Sequence, residues 1–385
     1  MVSRAERSAF SEWWWTVDKV LLVALVVLLV GGVLLSLAGS PPVAERLGYD
    51  TFHFVKRHLF FFLPTIALMI ATSFLTPRLA RRLALIMFVG MVGMMMLTLV
   101  IGVEVNGSRR WIDVAGFSLQ PSEYMKPAFV VLCAWLFTET SRNREINGNL
   151  FALLLLAMVC ALLIAQPDFG QTILIVIAWG SVFFLAGMPW FWIALIGGAG
   201  AGGVLLAYTT IPHVASRIDR FLDPSTGDTY QVDRAIEAFV NGGWLGVGPG
   251  EGTVKRVLPD SHTDYIFAVA AEEFGLILAI LLVSVFAFVV IRGLLRTMRT
   301  EDAFARIASA GLLILFGVQS IINMAVNINL MPSKGMTLPF ISYGGSSMFA
   351  IAISMGLVLA LTRRRPQGSR ARREAGVPGG VPNSA

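Results

Sequence analysis

Charge is what this sequence has least of. Asp, Glu, Lys and Arg make up 14% of its 385 residues, against about 25% in an ordinary soluble domain. Hydrophobic residues reach 56% and the mean hydropathy is +0.73. That balance excludes a soluble globular protein and indicates an integral membrane protein. Cysteine is nearly absent: Cys133 and Cys160 both lie in apolar segments and read as small hydrophobes. No disulfide framework, thiol chemistry or zinc site is expected, and the four histidines lack metal-ligand spacing. Internal repeats and paired broken helices are missing too, which speaks against an inverted-repeat transporter. The net charge of +6 calls for no nucleic acid, because the basic residues sit in short tracts between apolar runs.

What is present in quantity is long apolar runs. Ten are near the length that spans a roughly 30 Å hydrocarbon core: 20–38, 59–75, 83–103, 122–138, 149–166, 170–187, 190–209, 265–291, 305–329 and 340–361. The first lacks the short apolar region and cleavage site of a signal peptide and is expected to be retained. Trp13, Trp14 and Trp15 before it look like an interfacial anchor. The segments "TPRLARR", "TSRNREIN", "RGLLRTMRTEDAFAR" and the tail from Arg363 are all basic, which assigns them to the cytoplasm. The expected fold is therefore an all-α polytopic membrane protein of about ten transmembrane helices, with both termini cytoplasmic. Its organisation is a cytoplasmic segment 1–19, a transmembrane domain 20–362 and a disordered basic tail 363–385. The large loop 210–264, between helices 7 and 8, lies outside.

Polar residues concentrate at the outer membrane edges. In "NGSRRWIDVAGFSLQPSEYMKP", Arg109 and Arg110 precede a helix start at Pro121, and Glu123 and Lys126 share one helix face. Charges inside a span are costly, so these two read either as a structural ion pair or as the lining of an outward cavity. Asp168 in "QPDFGQT" is placed to cap a helix or to join that lining. In the outer loop, Val232, Ile236, Phe239 and Val240 recur at helical spacing, as in a helix lying in the interface. The glycine-rich run 242–252 lacks the Gly-Lys-Ser/Thr of a nucleotide site and is expected to be a flexible loop. In "LPDSHTDYIFAVAAEEFG", Asp264 stands directly before an apolar helix. It is a candidate N-cap and, equally, a carboxylate where water meets lipid. Glu272 and Glu273 follow where that span enters the bilayer, with partners the sequence does not assign.

Five ordered motifs, "GSRRWI", "QPSEYMK", "QPDFGQT", "LPDSHTDYIFAVAAEE" and "MPSKGMTLPFISYGGSS", resemble the SEDS family of membrane glycosyltransferases, across nearly all of residues 15–362. Two segments, "KGMTLPFISYGGSS" and "GGWLGVGPGEGTVKRVLP", look more like the family's cell-division member than its elongation member. The resemblance implies polymerisation of lipid II into peptidoglycan strands during cell division. It places the catalytic aspartate at Asp264, with Arg110, Glu123, Lys126, Asp168, His262 and Lys334 as substrate-binding candidates. It further implies a single-pass transpeptidase of the class B penicillin-binding type as partner, beside other division proteins and membrane lipids, in the cytoplasmic (inner) membrane at the septum.

The chemistry suits these residues. The 4-hydroxyl of one lipid-linked disaccharide attacks the anomeric carbon of another, and one positioned carboxylate accepts its proton. The departing undecaprenyl diphosphate needs positive charge, from Arg, Lys or a divalent cation, Mg²⁺ or Mn²⁺, held largely through the substrate. Two other functions stay open. A lipid II flippase would want polar features on the cytoplasmic half of the spans as well, whereas a noncatalytic division scaffold would not need the outer cluster.

Overall fold

The computed structural model describes residues 8–105, 108–114, 116–143, 145, 147–210, 215–216, 219, 223, 229–332 and 335–363. Each of the ten apolar runs corresponds to one helix. These are α2 (Lys19–Arg46), α3 (His53–Ser73), α4 (Pro77–Ile101), α5 (Pro121–Arg142), α6 (Gly148–Ala165), α7 (Phe169–Leu185), α8 (Trp190–Thr210), α10 (Ile266–Thr297), α11 (Ala303–Asn327) and α12 (Gly345–Leu361). Seven of them are long and apolar enough to cross a membrane by length and composition; α7 and α12 are shorter apolar helices, and α5 carries charge. Local chemistry sets the starts. Asp18, Thr76, Asn147 and Asp302 accept backbone N–H bonds as N-caps of α2, α4, α6 and α11, and Pro77 and Pro121 occupy first turns.

Large apolar side chains such as Leu34, Leu63, Ile86 and Val100 are exposed around the outside. In lipid this is the favoured state, because no water is present to penalise it. The interior belongs to α5, α11 and α12, around which α2, α3, α4, α7 and α10 pack. α8 lies apart, touching mainly α7.

Three elements depart from the expected pattern. A short helix α1 (Ala9–Thr16) precedes the first span, and its tryptophans divide. Trp13 is buried, donates to Ser73 Oγ at 2.7 Å and stacks on Phe74, while Trp14 and Trp15 stay exposed beneath Lys19. Only those last two fit an interfacial anchor. The all-α expectation also needs amending: β1 (Val103–Val105), β2 (Ser108–Val114) and β3 (Phe117–Leu119) form a small antiparallel sheet, ordered β1-β2-β3, between α4 and α5. β1 and β3 have three residues each, and SRRWIDV of β2 does not alternate, so no strand signal shows in sequence.

The long loop between α8 and α10 contains helix α9 (Tyr230–Gly242), as its periodicity predicts, but the buried face is Ala235, Ala238 and Gly242. Ile236 and Val240 are exposed. Close packing on α10 selects the small residues and turns the larger apolar ones outward.

Candidate active site

The site begins with a break. α10 is interrupted at Gly275, whose φ of 77° and ψ of 178° are non-helical. Below the break, Gly293 packs on Leu313, Gly317 on Val290, and the hydroxyls of Thr297 and Ser309 meet at 3.1 Å. In the antiparallel register these contacts set, Asn327 would lie opposite Ala279 or Ile280. Instead, Ala268 N–H donates to Asn327 Oδ1 at 3.1 Å. An unbroken helix would have carried Ala268 about 17 Å further along α11. The break thus folds the short first part of α10 (a half-helix, Ile266 to Phe274), with the segment 258–265 before it, back against the C-terminal end of α11.

Asp264 sits at the start of that half-helix. Its carbonyl accepts from the side-chain amides of Asn323 and Asn327, each at 2.9 Å. Its carboxylate is half-buried and takes no hydrogen bond or ion pair from any described residue. The N-cap reading therefore fails for Asp264: Tyr265 is the N-cap residue and no side chain caps the helix. Burial, reinforced by the neighbouring Asp260 carboxylate, raises the Asp264 pKa to about 7. The loop after α11 closes the rim. Tyr343 N–H donates to His262 O at 3.0 Å, Ser342 Oγ donates to Thr263 O, and Met336 O accepts from Asn323 at 2.7 Å. Gly335 lies so near that a Cβ there would stand 3.3 Å from Asp264 Oδ2. The His262 ring packs against Phe54 and Tyr343, centroids 4.7 and 5.6 Å away. Burial, with the Arg46 charge adding to it, lowers its pKa to about 4, so the ring is neutral.

A second cluster gathers the other candidates. Arg110 donates from Nε to Gln166 O at 3.2 Å and from Nη2 to Pro167 O and Ser108 Oγ, and it pairs with Asp168 Oδ2 at 3.4 Å. Asp168 does cap α7, accepting from Gln171 N–H at 3.3 Å. Burial raises its pKa and Arg110 opposes the rise. Lys126 Nζ meets Glu123 Oε1 at 2.8 Å and Gln319 Oε1 at 3.0 Å, and Gln171 Nε2 also donates to Glu123 Oε1. Glu123, Lys126, Gln319 and Ser354 line a small cavity. Thus Arg110, Glu123, Lys126 and Asp168 are brought together, Asp264 and His262 form a separate rim, and Lys334 lies outside the described residues.

α11 joins the two groups. Gln319, Asn323 and Asn327, at four-residue intervals, form a buried polar ladder down one helix face. Gln319 holds Lys126 and Thr337, while Asn323 and Asn327 hold Asp264. Polar amides within an apolar span signal such a role, although their partners have no local mark in the sequence.

The glycine-rich segment is not the flexible loop its composition suggests. It is stitched to both sides of the break: Val247 N–H to Glu272 O, Gly248 N–H to Glu273 O, Leu276 N–H to Gly243 O, Ile277 N–H to Trp244 O. A Cβ at Gly246 would fall 2.2 Å from Glu273 O, so glycine is required for this approach. The residues that flank the segment, Asn241 and Thr253–Lys255, cradle an anion, and the anion is the protein's own. Glu272 accepts from the backbone N–H of Thr253, Val254 and Lys255 at 2.7–2.9 Å and from Asn241 Nδ2 at 3.0 Å. Glu273 pairs with buried Lys255. Neither glutamate lines the small cavity beside Glu123 and Lys126.

A bundle of apolar helices, with the unpaired Asp264 carboxylate at its rim and a buried ionic cluster against the same helix α11, defines a polytopic membrane protein with a candidate site at the membrane edge. The chain belongs to the family described as "Cell cycle protein", FTSW_RODA_SPOVE, whose model matches residues 19–367. It is 48% identical, over 94% of both chains, to the "Probable peptidoglycan glycosyltransferase FtsW" of Caulobacter vibrioides. To the protein of the same description from Pseudomonas fluorescens it is 35% identical, over 89% of this chain and 86% of that one. The solved structure reported as "Structural coordination of polymerization and crosslinking by a peptidoglycan synthase complex" matches with a TM-score of 0.74 at 26% identity, covering 90% of this chain and 97% of that one. A mutant of the Thermus thermophilus rod shape determining protein RodA matches with a TM-score of 0.66 at 25% identity, with the same coverage.

Proposed function

We propose that this chain is a peptidoglycan glycosyltransferase that polymerises lipid II by inverting transfer at the outer face of the cytoplasmic membrane during cell division. The observation that carries this reading is the Asp264 carboxylate: half-buried, unpaired, with a pKa of about 7, and fixed through its backbone. Those are the properties of a general base working near neutral pH. The acceptor 4-hydroxyl gives its proton to Asp264 as its oxygen bonds to the donor's anomeric carbon. The bond from that carbon to the diphosphate breaks, and undecaprenyl diphosphate leaves with the electron pair. Arg110 and Lys126 supply positive charge for the departing group.

Among the described residues no group of three or more His, Cys, Asp or Glu side chains could hold a metal ion. No step is therefore assigned to a protein-held metal. A Mg²⁺ or Mn²⁺ ion carried on the substrate diphosphate is the form of cation involvement that these residues accommodate.

The orientation with both termini in the cytoplasm is supported by the basic tracts. A class B penicillin-binding transpeptidase is the proposed partner, supported by the synthase complex matched in fold. Septal placement is supported by the relatives named for FtsW.

The deciding experiment incubates the purified protein and its cognate transpeptidase with lipid II and Mg²⁺ or Mn²⁺, resolving glycan products on a gel. Polymer from the wild type and none from folded Asp264→Ala is expected. Equal polymer from both removes Asp264 as base; none from either overturns the enzymatic reading.

A further inference from the structure

Glu272 makes four hydrogen bonds in the loop and none at the rim, yet it lies in the half-helix that carries Asp264. That half-helix is bounded by two fixed points. At its start, the Asn323 and Asn327 amides hold the Asp264 carbonyl. At its end, the Gly275 break leaves the chain free to take other angles unless something outside the helix constrains it, because no helical bond pattern runs through a residue in that conformation. The constraint present is the segment 241–256. Its backbone pairs with residues on both sides of the break, and its 3-10 turn at Val254–Arg256 is tied to Glu272. Both Glu272 oxygens are used, and the residue is wholly buried.

We infer that Glu272 is a positioning residue for the base: by clamping the segment 241–256 onto the broken helix it sets the angle at Gly275, and with it the depth at which Asp264 meets substrate. This rests on the reading of Asp264 as general base. The two asparagines fix where the Asp264 backbone can lie on α11, and Glu272 fixes the direction from which the half-helix arrives. Losing the clamp lets the half-helix straighten towards the continuous helix that its apolar sequence would otherwise form. That movement draws Asp264 away from Asn323 and Asn327 and from the cation cluster that Gln319 holds. The charge of Glu272 matters as well as its shape, since all four of its partners are donors. Glu272→Gln turns one acceptor into a donor facing backbone N–H groups, which weakens the cradle with little change in volume.

The test uses the full chain with its cognate transpeptidase. Spin labels are placed at Thr263→Cys and Leu295→Cys, on the two sides of the break, after Cys133 and Cys160 are replaced by Ala. Leu295 is exposed on the lower half of α10. In Glu272→Gln the distance distribution is expected to shift or broaden by several ångström. Polymerisation by the unlabelled variant is expected to fall about 100-fold, the scale of a misplacement near 1 Å, in kcat more than in KM. Asn241→Ala removes one exposed donor and no buried charge. It is expected to give a smaller shift and loss in the same direction, and it decides the matter if Glu272→Gln does not accumulate. An unchanged distance distribution in a folded variant overturns the inference, as does a polymerisation rate within twofold of wild type. Failure of the wild type to polymerise overturns the enzymatic reading instead, while the label distances still report whether Glu272 sets the angle.

Discussion

Two buried ionic clusters of similar composition sit in this protein, and they are finished differently. In one, Glu272 and Glu273 meet Lys255, and no buried polar atom of these three side chains is left without a partner. In the other, Glu123, Asp168 and Gln171 meet Lys126 and Arg110. There Glu123 Oε2 and Gln171 Oε1 are buried without a hydrogen bond from any described residue, and Asp168 Oδ2 has only its 3.4 Å ion pair with Arg110. Unsatisfied buried acceptors cost free energy, so their persistence marks a place shaped for something other than stability. The first cluster is closed on itself, and the second keeps acceptors open to further donors, as the proposed site requires. The two clusters are alike in burial and charge and differ in how fully their acceptors are hydrogen-bonded.

The largest expected effect lies at the rim. Asp264→Ala should lower polymerisation by about 10²–10⁴-fold, the range for a general base, with thermal unfolding confirming a folded protein. Next come the two clusters, which paired substitutions can tell apart. Lys126→Met and Lys255→Met should each cost about 3–5 kcal/mol by stranding a buried carboxylate. Adding Glu123→Gln to the first and Glu273→Gln to the second should recover most of that stability in denaturation experiments. Activity should return only with the second pair; its return with the first would remove the distinction between scaffold and site.

A pH profile probes the same contrast with a smaller effect. The rate should rise about tenfold per unit below a midpoint near pH 7 and level off above it, since Asp264 must be ionised to accept a proton. A flat profile from pH 5 to 8 would falsify its assignment as base. The smallest effect is on stability. Folded Asp264 keeps its proton to about pH 7, whereas an unfolded aspartate loses it near 3.8. The folded state therefore binds more protons between those values. The contribution of Asp264 to stability is fully present below about pH 3.8 and is lost as pH rises through 7. Asp264→Asn should accordingly melt a few degrees above wild type at pH 8, a gap that narrows on acidification.

Much of the helical layout is legible in the sequence, because a run of some twenty apolar residues has few other uses. Glu123, Lys126 and Asp168 are legible as well, since charge at a membrane edge demands a partner. The break at Gly275 is not. A single glycine in a long apolar run is ordinary, and the donors and acceptors that stabilise the interruption lie about thirty residues earlier in the chain. For the same reason the segment 242–252 reads as flexible: glycine content reports freedom in isolation and close approach in context, and contacts such as those of Ala271 O with Gly242 and Glu273 O with Gly246 separate the two. Lys255 gives no warning either, standing in a polar loop where a lysine is commonplace.

The ladder on α11 makes the site a ruler. Gln319 and Asn327 are eight residues apart on one rigid helix, a separation of about 12 Å. Asp264 hangs from Asn323 and Asn327, and Lys126 from Gln319 about one to two turns away. A bilayer that thickens or thins tilts whole helices without stretching them. The interval between Asp264 and Lys126 is therefore set by one rigid helix rather than by the membrane around it.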